Sequence, residues 1–383
     1  MRILLLAPQP FYRERGTPIA VRMLAGQLCA FGHEVDLLVY HDGEDVQMPG
    51  LRLFRAGRPP GVGQVPIGIS LPKLACDAAM VVALLRLLRR QRYDVIHAVE
   101  EMVFPAALLH RFFGARLVYD MDSSLSEQLT EKWIVLKPLR RMFEAIERRF
   151  IWRSSLVLAV CEDLAAKVRP WVDEKRVIVL PDVPLADCAG AEVESLRAGA
   201  DGTLVGLYVG NLERYQGIDL MIEAVALLRD VPPFRMVVIG GPARLARQYE
   251  RRARALGIPP GRLELLGTRP VAQLGAYLQQ ADVLVSPRTL GQNTPMKVYS
   301  YMQAGKAILA TNIRSHTQAL DPSCAMLVPP QPAAMARGLE RLLHDPTLRA
   351  RLGQAARERA EREYSLPAYQ RKLRLAYSGL QGG

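Results

Sequence analysis

Apolar and polar positions fall in blocks along this chain. Short runs that are almost wholly apolar recur, and longer stretches with helical spacing separate them. Ile3–Leu6, Val35–Val39, Val95–Ala98, Leu117–Tyr119 and Leu156–Val160 are such runs. Apolar runs without alternation predict strands buried on both faces, the pattern of a parallel sheet. Ile19–Phe31 and Leu74–Arg90 read as helices between them. Near residue 180 the texture changes to Leu180-Pro181-Asp182-Val183-Pro184 and then small residues up to Gly202, the best linker candidate. A second series follows. Its strands are Leu204–Val209, Arg235–Ile239, Leu263–Leu266, Val283–Val285, Ala307–Thr311 and Ala325–Val328. Its helices include Ile218–Leu228, Ala243–Leu256, Val271–Ala281 and Ala333–Leu343.

Two βαβ series predict an α/β protein with two facing, Rossmann-like doubly wound domains, residues 1–182 and 183–365. A basic helical segment, 366–383, is a candidate to cross back to the first domain. Ligands of such sheets lie beyond the carboxyl ends of the strands, so an interdomain cleft is the expected site.

Composition narrows the partners. The 383 residues carry a formal net charge of +12. That favours an anionic partner: a nucleoside diphosphate, a phospholipid surface or nucleic acid. Nucleic acid is the weakest of these, since zinc-finger spacing, aromatic-basic ribonucleoprotein motifs and a basic tail are all missing from the sequence. Five scattered cysteines without a CxxC pair suggest neither a disulfide framework nor a zinc site, and point to a reducing cytoplasm. The opening Met1-Arg2-Ile3-Leu4-Leu5-Leu6-Ala7-Pro8 reads as a buried first strand and not as a signal peptide. The longest apolar run, Ala78 to Leu88, is interrupted by Arg86 and falls short of the ~20 residues that span a bilayer.

The densest chemical signal lies between Ser286 and Thr311. The strand ending at Val285 opens into a polar loop that feeds a helix beginning near Pro295 and stopping at Gly305. Backbone amides of a loop entering a helix offer an anion site, and Arg288 and Lys297 add two full charges there. A lysine in a first helical turn opposes the helix dipole, so Lys297 needs a reason for its place.

Several segments, in order, resemble the family 4 retaining glycosyltransferases of the GT-B fold. Arg15-Gly16-Thr17-Pro18 looks like the glycine loop after strand one. Gly32-His33-Glu34-Val35 and Tyr93-Asp94-Val95-Ile96-His97 look like the family's "GHEV" and "DVIH" segments. Val209-Gly210-Asn211-Leu212-Glu213-Arg214-Tyr215-Gln216-Gly217-Ile218 looks like "VGR-x4-KG". Gly305-Lys306-Ala307-Ile308-Leu309-Ala310-Thr311 looks like "GKPIVAT". The resemblance spans nearly the whole chain, and it implies an acceptor-binding first domain and a donor-binding second domain.

The departures concentrate on donor contacts. The family's Glu-x7-Glu falls on Gln292 and Ser300, and its Arg and Lys fall on Asn211 and Gln216. Its histidine after "V-x-T-x-H" falls on Asp122, and the acid after "VAT" falls on Gln318. Two readings follow: a donor site rewired around Arg214, Arg288 and Lys297, or a site that has decayed. The first is favoured, because cations remain in the phosphate loops and Asn293, Thr294, Ser300 and Gln318 still offer hydrogen bonds. Each charge-assisted bond to phosphate contributes roughly 1.5–3 kcal/mol, against ~0.3–1 kcal/mol from a helix end.

The loop chemistry and the resemblance together give the candidates. Asp122, Lys297 and Arg214 are the expected catalytic groups. Gly16, Gly210, Asn211, Gln216, Arg288, Gln292, Asn293, Thr294, Ser300 and Gln318 are expected to bind the donor. Glu100 and Glu101, in the loop after "DVIH", are expected at the acceptor. Each has a bland alternative. Asp122 is equally placed to cap the next helix, an exposed acidic pair is ordinary, and Arg214 suits a mobile loop. Asp120-Met121-Asp122 spells a D-x-D, but no metal is expected. A lone His316 is more often structural. No cofactor is implied beyond a nucleoside diphosphate sugar as co-substrate.

A basic stretch carries the last signal. Lys132, Lys137, Arg140, Arg141, Arg148, Arg149 and Arg153 interleave with Trp133, Ile134, Leu136, Leu139, Phe143, Phe150 and Trp152, and Arg86, Arg89, Arg90 and Arg92 add to the same domain. A helix packed on its own sheet explains the apolar residues; an anionic membrane face explains the surplus charge. The expected activity is transfer of a sugar to a hydroxyl acceptor, lipid-linked or glycolipid, at the inner face of the cell membrane. An inactive nucleotide-sugar-binding partner subunit and a sugar-nucleotide epimerase are the alternatives.

Overall fold

The computed structural model describes residues 1–13, 16–65, 70–132, 134–185, 192–197 and 202–380, without the side chains at 128 and 130–136. Arg15, Trp133 and the side chains of Lys132, Ile134 and Leu136 lie outside the described residues, as do 186–191 and 198–201 of the predicted linker. The chain divides into two units, Met1–Pro181 with Tyr369–Gly383, and Asp182–Ala368.

The first unit holds a seven-stranded sheet whose pairs are all parallel. Its strands are β1 (Arg2–Leu6), β2 (Glu34–Val39), β3 (Leu51–Arg55), β4 (Val95–Val99), β5 (Arg116–Met121), β6 (Leu156–Ala159) and β7 (Val177–Val179), in the order β3-β2-β1-β4-β5-β6-β7. β1 is central, with Ile3 opposite both Val35 and Val95. Leu4, Leu6, Ile96 and Leu117 pack against Met80, Leu84 and Leu87 of the helix Leu71–Arg90. Full burial of each such side chain contributes about 1.5–3 kcal/mol. Ser70 caps that helix by accepting from the Lys73 amide at 3.3 Å.

Two edge strands were not expected. β3 reads Leu-Arg-Leu-Phe-Arg, a mixed pattern that suits a half-exposed edge, and its Arg52 forks onto buried Asp36 of β2 at 2.6 and 2.8 Å. β7 is only three residues long. The C-terminal residues belong to this unit through side chains: Gln370 donates to Gln27 Oε1 at 2.7 Å, and the Tyr377 hydroxyl meets His97 Nδ1 at 2.6 Å.

The second unit holds a six-stranded parallel sheet of β8 (Leu204–Val209), β9 (Phe234–Ile239), β10 (Leu263–Gly267), β11 (Val283–Ser286), β12 (Ala307–Thr311) and β13 (Met326–Val328). The order is β10-β9-β8-β11-β12-β13. Each sheet therefore reverses its winding beside its first strand, between β1 and β4 in one and between β8 and β11 in the other. Loops at such a reversal part and leave a crevice for ligand. In the described residues no helix is long and apolar enough to cross a membrane.

Candidate functional site

In the second unit the two loops at the reversal, 210–217 after β8 and 287–295 after β11, are bound to each other. The Thr289 amide donates to Tyr215 O at 2.9 Å. Gly217 has φ +74, and a Cβ there would lie 1.9 Å from Pro287 O. Only glycine permits that approach. The helix Met296–Ala304 starts where the second loop ends.

Lys297, in the first turn of this helix, points its ammonium back into the loops. Nζ donates to Gln216 Oε1 at 2.9 Å and sits 3.9 Å from the centroid of the Tyr208 ring. A Cβ on Gly210 (φ +150) would stand 3.2 Å from Nζ, so the bare backbone at 210 leaves the ammonium its room. Burial, and then the charge of Arg288, hold the Lys297 ammonium well below the usual lysine range. Gln216 stands where the resemblance expects a lysine; here the cation reaches that point from the helix instead.

Arg288 is buried. Its Nε donates to Leu290 O at 2.6 Å, Nη1 to Asn293 O at 3.1 Å and Nη2 to Asn293 Oδ1 at 3.4 Å. The guanidinium braces the loop from within, and burial lowers its pKa. Neither Arg288 nor Lys297 forms an ion pair with a carboxylate among the described residues, although burying an unpaired charge is costly. Thr294 is buried too, and its Oγ1 meets no partner among the described residues. Two basic side chains without a carboxylate partner among the described residues, with the Thr294 hydroxyl close by in sequence, have the chemistry of an oxyanion site: an anion seated there would favour the charged form of Lys297.

The other candidates of this unit spread around that centre. Gln318 Nε2 donates to Gln292 O at 2.5 Å, joining those two positions. Asn211 is exposed, accepts from the Glu213 amide at 3.4 Å through Oδ1, and its carbonyl accepts from Tyr208 Oη at 2.6 Å. Ser300 is buried, and its Oγ accepts from the Leu185 amide at 3.0 Å, which ties down the segment after the unit boundary. Arg214 is exposed and makes no ion pair among the described residues, so the geometry joins two of the three expected cations. His316 is fully buried between Ser286 Oγ (2.8 Å) and Thr311 O (2.9 Å), clamping the ends of β11 and β12. Burial, with Lys297 and Arg288 nearby, pushes its pKa down to about 4. With both ring nitrogens engaged within the fold, it is placed to hold the strand ends together.

In the first unit Gly16 is exposed at the start of the helix Gly16–Ala30. Glu100 follows β4 with φ +47, rare for a residue with a side chain. Its Oε1 accepts from Ser123 Oγ at 3.3 Å, and burial raises its pKa. Glu101 pairs with Lys73. Asp122 directly follows β5, half-buried beside Ser123. Asp120, two residues earlier on β5, meets His97 Nε2 at 3.2 Å. The residue the sequence did not reveal is Glu147. Buried on the helix Arg140–Arg153, it accepts from Ser124 Oγ (3.0 Å), the Leu125 amide (2.8 Å) and Ser126 Oγ (2.7 Å). It fixes the turn that carries Asp122 and Ser123, and nothing in its local sequence sets it apart from the helix's other charges.

Doubly wound sheets with oxyanion chemistry at the winding reversal define a nucleotide-binding class. The comparisons make it specific. Residues 15–182 match the Glycosyl transferase 4-like domain, and residues 198–359 match Glycosyl transferases group 1. A D-inositol 3-phosphate glycosyltransferase of Pseudarthrobacter chlorophenolicus is 29% identical over 304 residues, covering 74% of this chain and 71% of its own. The protein of the same name from Corynebacterium glutamicum aligns over 43% of its length. Among solved structures, sucrose-phosphate synthase from Thermosynechococcus elongatus superposes with a TM-score of 0.80 at 22% identity, covering 99% of both chains. Anabaena HepE in complex with UDP gives 0.76 at 16%, covering 99% of this chain and 100% of that one. The chain belongs to the group 1, family 4 glycosyltransferases, retaining and nucleotide-sugar-dependent enzymes of the GT-B fold.

Proposed function

We propose that this enzyme moves a sugar from a uridine diphosphate sugar to a hydroxyl of a lipid-linked or glycolipid acceptor, at an anionic membrane face. The observation that carries the donor half is the pair Arg288 and Lys297. Both lack a carboxylate partner among the described residues, and both bear on the loops at the winding reversal beside the idle Thr294 hydroxyl. A diphosphate seated there neutralises the two charges and uses the hydroxyl. When the glycosidic bond breaks, negative charge grows on the leaving phosphate, and preorganised cations stabilise it where it forms. Gln216 then positions Lys297, and Asn293 with the Arg288 fork sets the loop. HepE, a structural neighbour solved with UDP, supports uridine as the base to test first. Asp122 and Glu100 are our candidates for contact with the reacting sugar and the acceptor hydroxyl.

The membrane half draws on the helix Arg140–Arg153 and its approach. Leu139, Met142, Ile146 and Trp152 are exposed there among Arg141, Arg148 and Arg149. Exposed apolar side chains flanked by arginines suit an anionic lipid interface.

The test is to incubate the purified protein with a panel of UDP-, GDP- and other nucleotide sugars, with and without membrane lipid extract. Nucleotide release that depends on both a UDP-sugar and the extract is the expected result. Release without acceptor would indicate epimerase or hydrolase chemistry, and tight donor binding with no turnover would refute transfer.

A further inference from the structure

A second basic site lies in the first unit, away from the ends of β4 and β5 that carry Glu100 and Asp122. A cavity of about 1360 Å³ is lined by Arg89, Arg90, Arg92, Arg111 and Phe112, among others. Arg92 precedes β4, and Arg111 and Phe112 precede β5, so the cavity opens at the amino ends of those strands. Arg89 and Arg90 sit in the last turn of the helix Leu71–Arg90, where a helix end favours cations. That explains their presence but not the company of Arg92 and Arg111.

These four arginines are exposed, and none forms an ion pair among the described residues. Elsewhere the chain pairs many of its arginines, as in Arg52–Asp36, Arg169–Glu162 and Arg252–Glu223. The nearest carboxylate in the lining, Asp94, accepts from the Arg2 amide at 2.7 Å. The positive field reaches inward: burial, together with Arg111 and Arg153, lowers the pKa of His110. Phe112 of the lining is 85% exposed, and Leu108, on the helix Val103–Leu109 that leads into Arg111, is 55% exposed. A soluble anion leaves those two unexplained. A lipid surface accounts for both sets at once, with phosphates for the guanidinium forks and an interfacial layer for the ring.

We propose that this cavity docks the enzyme on a membrane by taking the phosphate headgroups of anionic lipids, with Phe112 and Leu108 entering the interface. The site deepens the membrane part of the proposed function and uses none of the donor residues, so either can fail without the other.

The experiment is vesicle flotation of the full chain, using phosphatidylcholine with and without phosphatidylglycerol. Arg90→Gln/Arg92→Gln/Arg111→Gln is compared with a control that removes the same charge elsewhere, Arg244→Gln/Arg247→Gln/Arg251→Gln on the exposed face of the helix Ala243–Ala255. Each arginine near such a surface contributes about five-fold, so the cavity variant should bind the anionic vesicles roughly a hundred-fold more weakly. The control should bind like the wild type, UDP affinity should be unchanged in both, and Phe112→Ser should weaken the vesicle complex at constant charge. Equal losses in cavity and control variants would reduce the effect to net charge and overturn the proposal. So would wild-type binding by the cavity variant. Glycerol phosphate titrated by calorimetry is the remaining arm: if it binds the cavity tightly while vesicle binding ignores the cavity arginines, the ligand is a free anion and the lipid assignment falls.

Discussion

Replacing Lys297 by methionine separates a donor cation from a structural lysine. Among the described residues the ammonium has one hydrogen bond, to Gln216 Oε1, and one ring beneath it, Tyr208. Against these stand its desolvation and the repulsion of Arg288. A ring contact contributes about 0.5–2 kcal/mol, and methionine fills the stem's volume with an apolar group at little cost. The empty protein should therefore melt no lower as Lys297→Met than as wild type. The donor complex loses a charge-assisted bond to phosphate, roughly 1.5–3 kcal/mol, which is about 10- to 150-fold in Kd. Isothermal titration with UDP measures the affinity, and differential scanning calorimetry of the empty protein measures the fold. Affinity within about two-fold of wild type, less than ~0.5 kcal/mol, would refute the assignment. A lower melting temperature with unchanged affinity would make Lys297 a fold residue.

Three further outcomes follow from the same geometry. Thr294→Val removes a buried hydroxyl with no described partner, so the empty protein should be as stable or more so, while UDP affinity falls about ten-fold; calorimetry reads both, and a destabilised variant of normal affinity would contradict this. His316 has its pKa pushed down to about 4 from an ordinary 6.5, so the unfolded chain takes up the proton first as pH falls. The stability it confers is complete above pH 6.5 and is lost between there and pH 4, about 3 kcal/mol in all. Urea unfolding of wild type and His316→Gln at pH 7 and 4.5 should show the wild type losing more, and parallel losses would sink the idea. Glu147→Ala removes the carboxylate that accepts from the Ser124 and Ser126 hydroxyls and the Leu125 amide; the two hydroxyls still have each other at 2.9 Å, so about two bonds are lost at ~1 kcal/mol each, about 2 kcal/mol or roughly 4–8 °C in melting temperature, and a change under about 2 °C would refute it.

What the sequence disclosed, and what it hid, follows from range. Strands buried on both faces, such as Ile3–Leu6 and Ala307–Thr311, announce themselves because every position is apolar. β3 did not, since an edge strand needs only one covered face and spends Arg52 on Asp36. The proposed phosphate loop could be read as a candidate because loop, basic residues and helix start are contiguous between Arg288 and Lys297. The partner of Lys297 was not, because Gln216 is 81 residues away. Ser300 is a donor candidate by position, and its Oγ also accepts from the Leu185 amide, a contact that only the folded chain creates. The bond between His97 and Tyr377 crosses 280 residues and left no local trace. Glu147 was hidden differently: in a helix rich in charge, burial alone distinguishes it.

The most direct test of the donor assignment is hydrogen–deuterium exchange of the intact protein with and without UDP. Amides of 210–218 and 288–300 should slow markedly on binding, and those of the helix Ala243–Ala255 should not change. If UDP binds and both loops exchange as fast as before, the diphosphate does not sit where Arg288 and Lys297 converge, and the account is wrong at its centre.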